Sequence, residues 1–351
     1  METLSSNAIA LLQQLIQTPS FSGEEGQTAD RIAQWFKSHD IPCHRMDNTV
    51  WATNKAHTPS KPTLLLNSHH DTVKPNQAYT KNPFDATIEG GKLYGLGSND
   101  AGGALVSLIA LFTHYYAHPN PKYNLLLVAS AEEESAGPKS LRGILSDLPK
   151  IDVAIVGEPT LMELAVAEKG LVVFDGNIKG TASHAAHPNA DNPILKLPEV
   201  LTWFKNYEFK KVSPQLGPVK MTVSQVNAGT QHNVVPSEVH LVVDVRVNEC
   251  YTNAEVAAIL KAHAPCELKE RSLRLNASSI PMEHELVQAG IALGKSTYGS
   301  PTLSDQAALS CPSLKLGPGD STRSHTADEF IYIKEIEDGI AFYTALLKQI
   351  L

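Results

Sequence analysis

Seven side chains in this 351-residue sequence sit where their types and spacing could do chemistry. His69 and Asp71 form an H-x-D at the end of "PTLLLNSHHDTV", and Asp100 opens "DAGGALVSLIALFTHYY". Glu133 and Glu134 lie in "LLLVASAEEESAGPKS", where an apolar run drives straight into three acids. Glu158 stands in "VGEPT" and His325 in "GDSTRSHTADE". Like charges repel, and a lone buried carboxylate is costly. A solvated turn would account for Glu132–Glu134 taken alone. A bound cation accounts for the whole set. Two imidazoles with several carboxylates suit Zn²⁺, with Co²⁺ or Mn²⁺ as replacements. Two histidines supply one nitrogen ligand to each of two metals, and a carboxylate such as Asp100 can bridge them.

The elements that must position these groups are legible in the apolar pattern. Continuous apolar runs end "PTLLLNSHHDTV", "YNLLLVASAEEE" and "IDVAIVGEPT", and helical periodicity covers residues 5–17, 25–39 and the segment after Asp100. Buried strands alternating with helices predict an α/β sheet covered on both faces. Ligands of such sheets bind outside the carboxyl ends of the strands, which is where His69/Asp71, Glu133/Glu134 and Glu158 fall. Near residue 171 the pattern changes. "KGLVVFDGNIKGTA", "VKMTVSQVNAG" and "EVHLVVDVRVNE" alternate like strands with one wet face, with helices at about 192–206 and 253–263. The reading is a two-domain α/β protein: a catalytic domain from residues 1–172 and 279–351, with a smaller α+β domain, 173–278, inserted.

Composition excludes several function classes. The formal net charge is −8 with no basic block, which argues against nucleic acid. No stretch approaches the ~20 apolar residues of a membrane helix, and the N-terminus lacks the basic start and apolar core of a signal peptide. Cys43, Cys250, Cys266 and Cys311 form no CxxC pair and read as reduced thiols of a cytoplasmic protein. "GLGSNDAGG" lacks the spacing and terminal Lys-Ser/Thr of a phosphate loop.

Together "SHHDTV", "YGLGSNDAGG", "ASAEEESAG", "VGEPT", "GTASHAAHPNADNP", "AGTQHNVVPSEVHLVVDVR" and "GPGDSTRSHTADE" resemble the zinc aminoacylase and carboxypeptidase family. That family includes acetylornithine deacetylase, succinyl-diaminopimelate desuccinylase and N-acetyl-lysine deacetylase. The resemblance covers essentially the whole chain and implies two Zn²⁺ per subunit. His69 and Glu158 would hold one metal, Glu134 and His325 the other, and Asp100 would bridge. Asp71 would hydrogen-bond His69 and orient its ring, and Glu133 would be the general base. The peptide bond from Asp100 to Ala101 would be cis. The inserted domain would be a lid through which the chain forms a homodimer, with His184 acting over the partner's centre. Asn233, Arg246 and Arg323 would grip the substrate, although Arg246 reads equally as a structural ion pair. His70, next to a ligand on a strand, should point to the opposite side, and Glu132 reads as a turn acid. The implied activity is removal of a short acyl group from a small N-acyl amino acid, with an acetylornithine deacetylase of arginine biosynthesis as the leading expectation. The alternatives are a metallo-carboxypeptidase or dipeptidase, or a deacetylase of N-acetyl-lysine or N-acetyl-citrulline, with the same centre.

Overall fold

The computed structural model describes residues 2–119 and 121–351. The chain forms two compact units: Met1–Val166 with Ser279–Tyr298 and Ser304–Leu351, and Ala167–Ser278 with Gly299–Leu303. The second unit therefore begins a few residues before the change of pattern at about 171, and it takes in a short later segment.

The first unit is built on a twisted sheet in which Thr63–His69 lies between Asn124–Ser130 and Val153–Val156, parallel to both. Ser313–Lys315 extends the parallel run beyond Val153–Val156, and Thr49–Thr53 adds antiparallel to Asn124–Ser130. Every residue of Thr63–His69 and of Asn124–Ser130 is buried, which is why these strands read as unbroken apolar runs. Their side chains still alternate. Leu64, Leu66, Leu125, Leu127 and Ile155 enter the main core. Leu65, Leu126, Val128 and Ala154 face a smaller one with Trp51, Leu141 and Ile144. The helix Gly103–Tyr115 is buried along almost its whole length and packs against Glu2–Ile16 and Ile333–Ile350. An apolar helix of this kind has no wet face to show and belongs at the centre of a layer. A further helix precedes the last strands of this unit. It spans Glu285–Ala292 and stops at Gly294, whose φ of +86° suits a glycine after a helix end.

The second unit is an antiparallel sheet in the order Lys220–Ala228, Glu238–Val247, Gly170–Lys179, Glu267–Glu270. Along Gly170–Lys179 and Glu238–Val247, buried residues alternate with more exposed ones, as a one-sided sheet requires. The helices Pro193–Asn206 and Asn253–His263 contribute Val200, Phe204, Val256 and Leu260 to its core. Asn192 caps the first helix through Ile194 N–H. Thr252 and Glu255 form a capping box at the start of the second. Lys220–Ala228 is an edge strand and is largely exposed.

Candidate metal centre

Strand register places the chemistry. His69 pairs with Ser130, and Asn67 with Val156, in parallel ladders. The residues just past Ser130 and Val156 therefore lie level with, or just beyond, His69 at the carboxyl edge of the sheet. Those residues are the glutamates 132–134 and Glu158. His69 is buried, and its Nε2 lies 3.3 Å from Asp100 Oδ1 and 3.9 Å from Glu158 Oε1. His325 Nε2 lies 3.1 Å from both oxygens of Glu134 and 3.6 Å from Asp100 Oδ2. Asp100 thus turns one oxygen towards each imidazole. His69, Asp100 and Glu134 offer ligand atoms within 4.8 Å of one another.

Each ligand-bearing turn is held by hydrogen bonds. Glu329, buried, accepts from Gly97 N (3.2 Å), Asn99 N (2.9 Å) and Asp100 N (2.9 Å). Asp320 N donates to Asn99 Oδ1 and Asn99 Nδ2 donates to Asp320 O, which ties the Asp100 turn to the loop leading to His325. The Asp100–Ala101 bond is cis. Asp71 does more than the role expected of it. His69 Nδ1 bonds the backbone oxygen of Asp71 at 2.9 Å, and the Asp71 carboxylate stands 3.4 Å away. That carboxylate also accepts from Glu133 N (3.0 Å), Glu134 N (3.1 Å) and Ser22 Oγ (2.6 Å). It holds the acid pair as much as the histidine. His70 turns away, its ring between Thr28 Oγ1 and Asn48 O at 2.9 Å each. Glu132 is buried and accepts from Lys139 N, a brace within its own turn.

The electrostatics are those of a site short of positive charge. Burial, then the negative charges of Asp100 and Glu134, pushes the Glu158 carboxyl up to about 8 against the pull of His69 and Lys315. Burial and the charges of Glu158, Asp305 and Glu134 hold Glu133 well above the usual carboxylate range, with His69 opposing. Burial works against protonating His69, but Asp100, Asp71, Glu133 and Glu158 outweigh it and raise its pKa well above the usual value. The hydrogen bond to Glu134 lifts His325 to about 9. So many acids around two imidazoles, nitrogen and oxygen donors together, is a donor set that divalent metal would satisfy. The residues present fit such a group.

Residues 65–349 match the model for peptidase family M20/M25/M40. The chain belongs to that family. The α/β unit carrying the centre and the smaller unit are its catalytic and lid subdomains. Succinyl-diaminopimelate desuccinylase of Stenotrophomonas maltophilia is 27% identical, the alignment covering 99% of this chain and 100% of that protein. An M20 metallo-carboxypeptidase of Sulfolobus solfataricus superposes with a TM-score of 0.75 at 16% identity, covering 97% of this chain and 98% of that one. A dinuclear metal-binding M20 peptidase of Bacillus subtilis superposes with a TM-score of 0.73 at 16% identity, covering 99% and 98%.

In this M20 hydrolase the remaining candidates fall in two places. His184 is exposed on a two-residue strand paired with Val234–Val235, and Ala185 N donates to Asn233 O, so His184 and Asn233 are neighbours. Arg246 lies near the other end of Glu238–Val247, opposite Lys220 and Leu171, eight residues or roughly 26 Å along the strand from Glu238. Its guanidinium pairs with Asp244 through Nε (2.8 Å) and Nη2 (3.1 Å). Arg323, in the first unit, is forked onto Glu335 at 2.9 and 2.6 Å and lies over the rings of Phe330 and Tyr332. Its charge is already engaged within the fold. The buried acids that were not singled out from the sequence include Glu329, Asp305 and Glu25. Glu329 lies four residues beyond His325 in a segment already marked, so its position was a signal. Asp305, bonded to Ser130 Oγ at 2.5 Å, and Glu25 sit in "LSDQAA" and "FSGEEG", which read as ordinary polar turns. No helix among the described residues is long and apolar enough to cross a membrane.

Proposed function

We propose that this protein hydrolyses the linear amide bond of small amino-acid derivatives, N-acyl amino acids or dipeptides, at a centre of two zinc ions that cobalt or manganese can replace. The observation that carries the reading is Asp100, with one oxygen towards His69 and the other towards His325. His69 and Glu158 would hold one ion, Glu134 and His325 the other, and Asp100 both. When bound, the ions polarise the amide carbonyl and lower the pKa of water. Glu133 takes a proton from the attacking water and returns it to the leaving nitrogen, and its raised pKa suits a group that must hold a proton between those events. Asp71 fixes the Glu133 backbone. His184 and Asn233, side by side and exposed, serve the substrate of a second copy, His184 steadying the negative charge that develops on its carbonyl oxygen. The exposed edge strand Lys220–Ala228 of the lid is a surface on which two copies can pair. Arg246 takes the substrate carboxylate, exchanging or sharing its bond to Asp244. Arg323, locked onto Glu335, is left out of this role.

The similarity to desuccinylases and peptidases alike supports amide hydrolysis on amino-acid derivatives rather than a reading confined to N-acetylornithine, and the dipeptidase, carboxypeptidase and wider deacylase alternatives stand ahead of it. Metal analysis of the purified protein, with turnover of a panel before and after chelation, tests this. The panel holds N-acetylornithine, N-acetyl-lysine, N-acetyl-citrulline, N-succinyl-diaminopimelate and a set of dipeptides. Zinc-restored hydrolysis of one class is expected. A protein that binds two ions and cleaves none of these amides would overturn the proposal.

A further inference from the structure

The turn that carries Glu133 and Glu134 hangs from carboxylates supplied by other parts of the chain. Its three successive N–H groups, from Glu132, Glu133 and Glu134, end on Glu25 Oε1 (3.1 Å), Asp71 Oδ1 (3.0 Å) and Asp71 Oδ2 (3.1 Å). Those two acids belong to one assembly, because Ser22 Oγ donates to Asp71 Oδ2 at 2.6 Å from three residues before Glu25. Thr72 N also donates to Ser20 O at 2.8 Å. Glu25 is completely buried. Its oxygens also accept from Gly23 N at 2.6 Å and from Asn48 Nδ2 at 2.8 Å. The turn it meets needs holding. Glu132 has a φ of +51°, a conformation a non-glycine residue keeps only where its surroundings impose it. Gly137 is packed so closely over Glu132 that a Cβ there would lie 2.1 Å from Glu132 Oε2. The match to the family model begins at residue 65, so Glu25 lies outside the matched segment.

We infer that Glu25 is a positioning residue for Glu133: with Asp71 it clamps the acid turn, and the amino-terminal loop 20–25 is the brace that sets where the proton-transferring carboxylate stands. The inference rests on the proposed role of Glu133. Removing the clamp leaves Glu133 in place chemically but free to wander, and a misplacement of about 1 Å can cost about 10²-fold in rate.

The test compares Glu25→Ala and Glu25→Gln in the zinc-loaded enzyme. Gln keeps an acceptor for Glu132 N–H, and its amide can be met by a flipped Asn48, so turnover within roughly threefold of wild type is expected. Ala should lower kcat roughly 10- to 100-fold with KM and zinc content little changed. It should also speed hydrogen exchange at the amides of 132–134. In a Glu133→Gln background Glu25→Ala should add no further loss, since a residue acting through Glu133 has nothing left to position. If Glu25→Ala does not fold, Glu25→Asp takes its place, since its carboxylate is one methylene short of Glu132 N–H. Wild-type kcat in Glu25→Ala, a full additional loss in the double variant, or unchanged amide exchange at 132–134 would each overturn the inference. If Glu133→Gln itself leaves turnover intact, the reading of Glu133 fails instead, and the exchange measurement still decides whether Glu25 clamps the turn.

Discussion

Metal removal should make this protein lose stability as the pH rises through neutrality. In the metal-free chain burial and neighbouring carboxylates hold Glu158 at about 8, Asp305 at about 6 and Glu133 well above the usual range. Glu134 holds His325 at about 9. Every one of these folded values lies above its unfolded counterpart. The folded state therefore keeps protons that the unfolded chain has released, and stability present at about pH 5 drains away as the pH climbs towards 8–9. Asp71 and Asp100 are shifted downward, Asp71 by His69 and Ser22, Asp100 by the two histidines, in each case against burial. Their contribution is lost only in acid, below the window in question. One carboxyl moved from 4.5 to about 8 corresponds to roughly 5 kcal/mol. Neighbouring groups share protons, so the set should give about 3–5 kcal/mol rather than a multiple of that. Urea unfolding of chelator-treated protein at constant ionic strength, from about pH 5 to about pH 8.5, should show that decline. With zinc the decline should vanish, and the gap between loaded and stripped protein should widen with pH, because the ligands shed protons on binding. Titration calorimetry in two buffers of different ionisation enthalpy counts those protons. Stripped protein whose stability is flat or rising over this range, or zinc binding without proton release, would refute the reasoning.

The two neighbouring glutamates should separate. Glu133→Gln should keep its zinc and lose roughly 10²- to 10⁴-fold in turnover, whereas Glu134→Ala should lose metal, and equal zinc content with equal activity loss in both would contradict the division of roles. Mixing inactive His184→Ala with inactive Glu133→Ala chains should restore activity towards half of wild type in the mixed dimer. No recovery despite proven subunit exchange would place His184 outside the partner's site. Gly317→Ala should cost about 1–3 kcal/mol and weaken zinc binding, because its Cβ would lie 2.5 Å from the backbone oxygen of Glu158; equilibrium unfolding and a zinc titration read both.

The sequence by itself determined the buried strands and the chemistry at their ends. The apolar runs inside "TLLLNSH" and "NLLLVAS", between other strands of the same kind, read as strands covered on both faces, which puts the polar residues after them at the sheet edge. Residue types then named the donors: two imidazoles and a set of carboxylates. What tertiary structure decided was which ends meet. Thr63–His69 lies between strands that come about 60 and 90 residues later, and only the register of His69 with Ser130 and of Asn67 with Val156 brings those ends level. Burial of individual acids was decided there too. Glu25 and Asp305 carry no local mark that separates them from surface carboxylates, and Glu329 is marked only by its closeness to His325. They are inside because backbone N–H groups and hydroxyls from distant segments needed an acceptor. Arg323 shows the converse. Beside His325 in the sequence it has the look of a substrate anchor, yet the helix starting at Ile333 brings Glu335 to it and occupies the fork. A charge advertises what it can bind, and the packing around it selects the partner, because the energy of an ion pair depends on distance, desolvation and competition that no stretch of sequence contains.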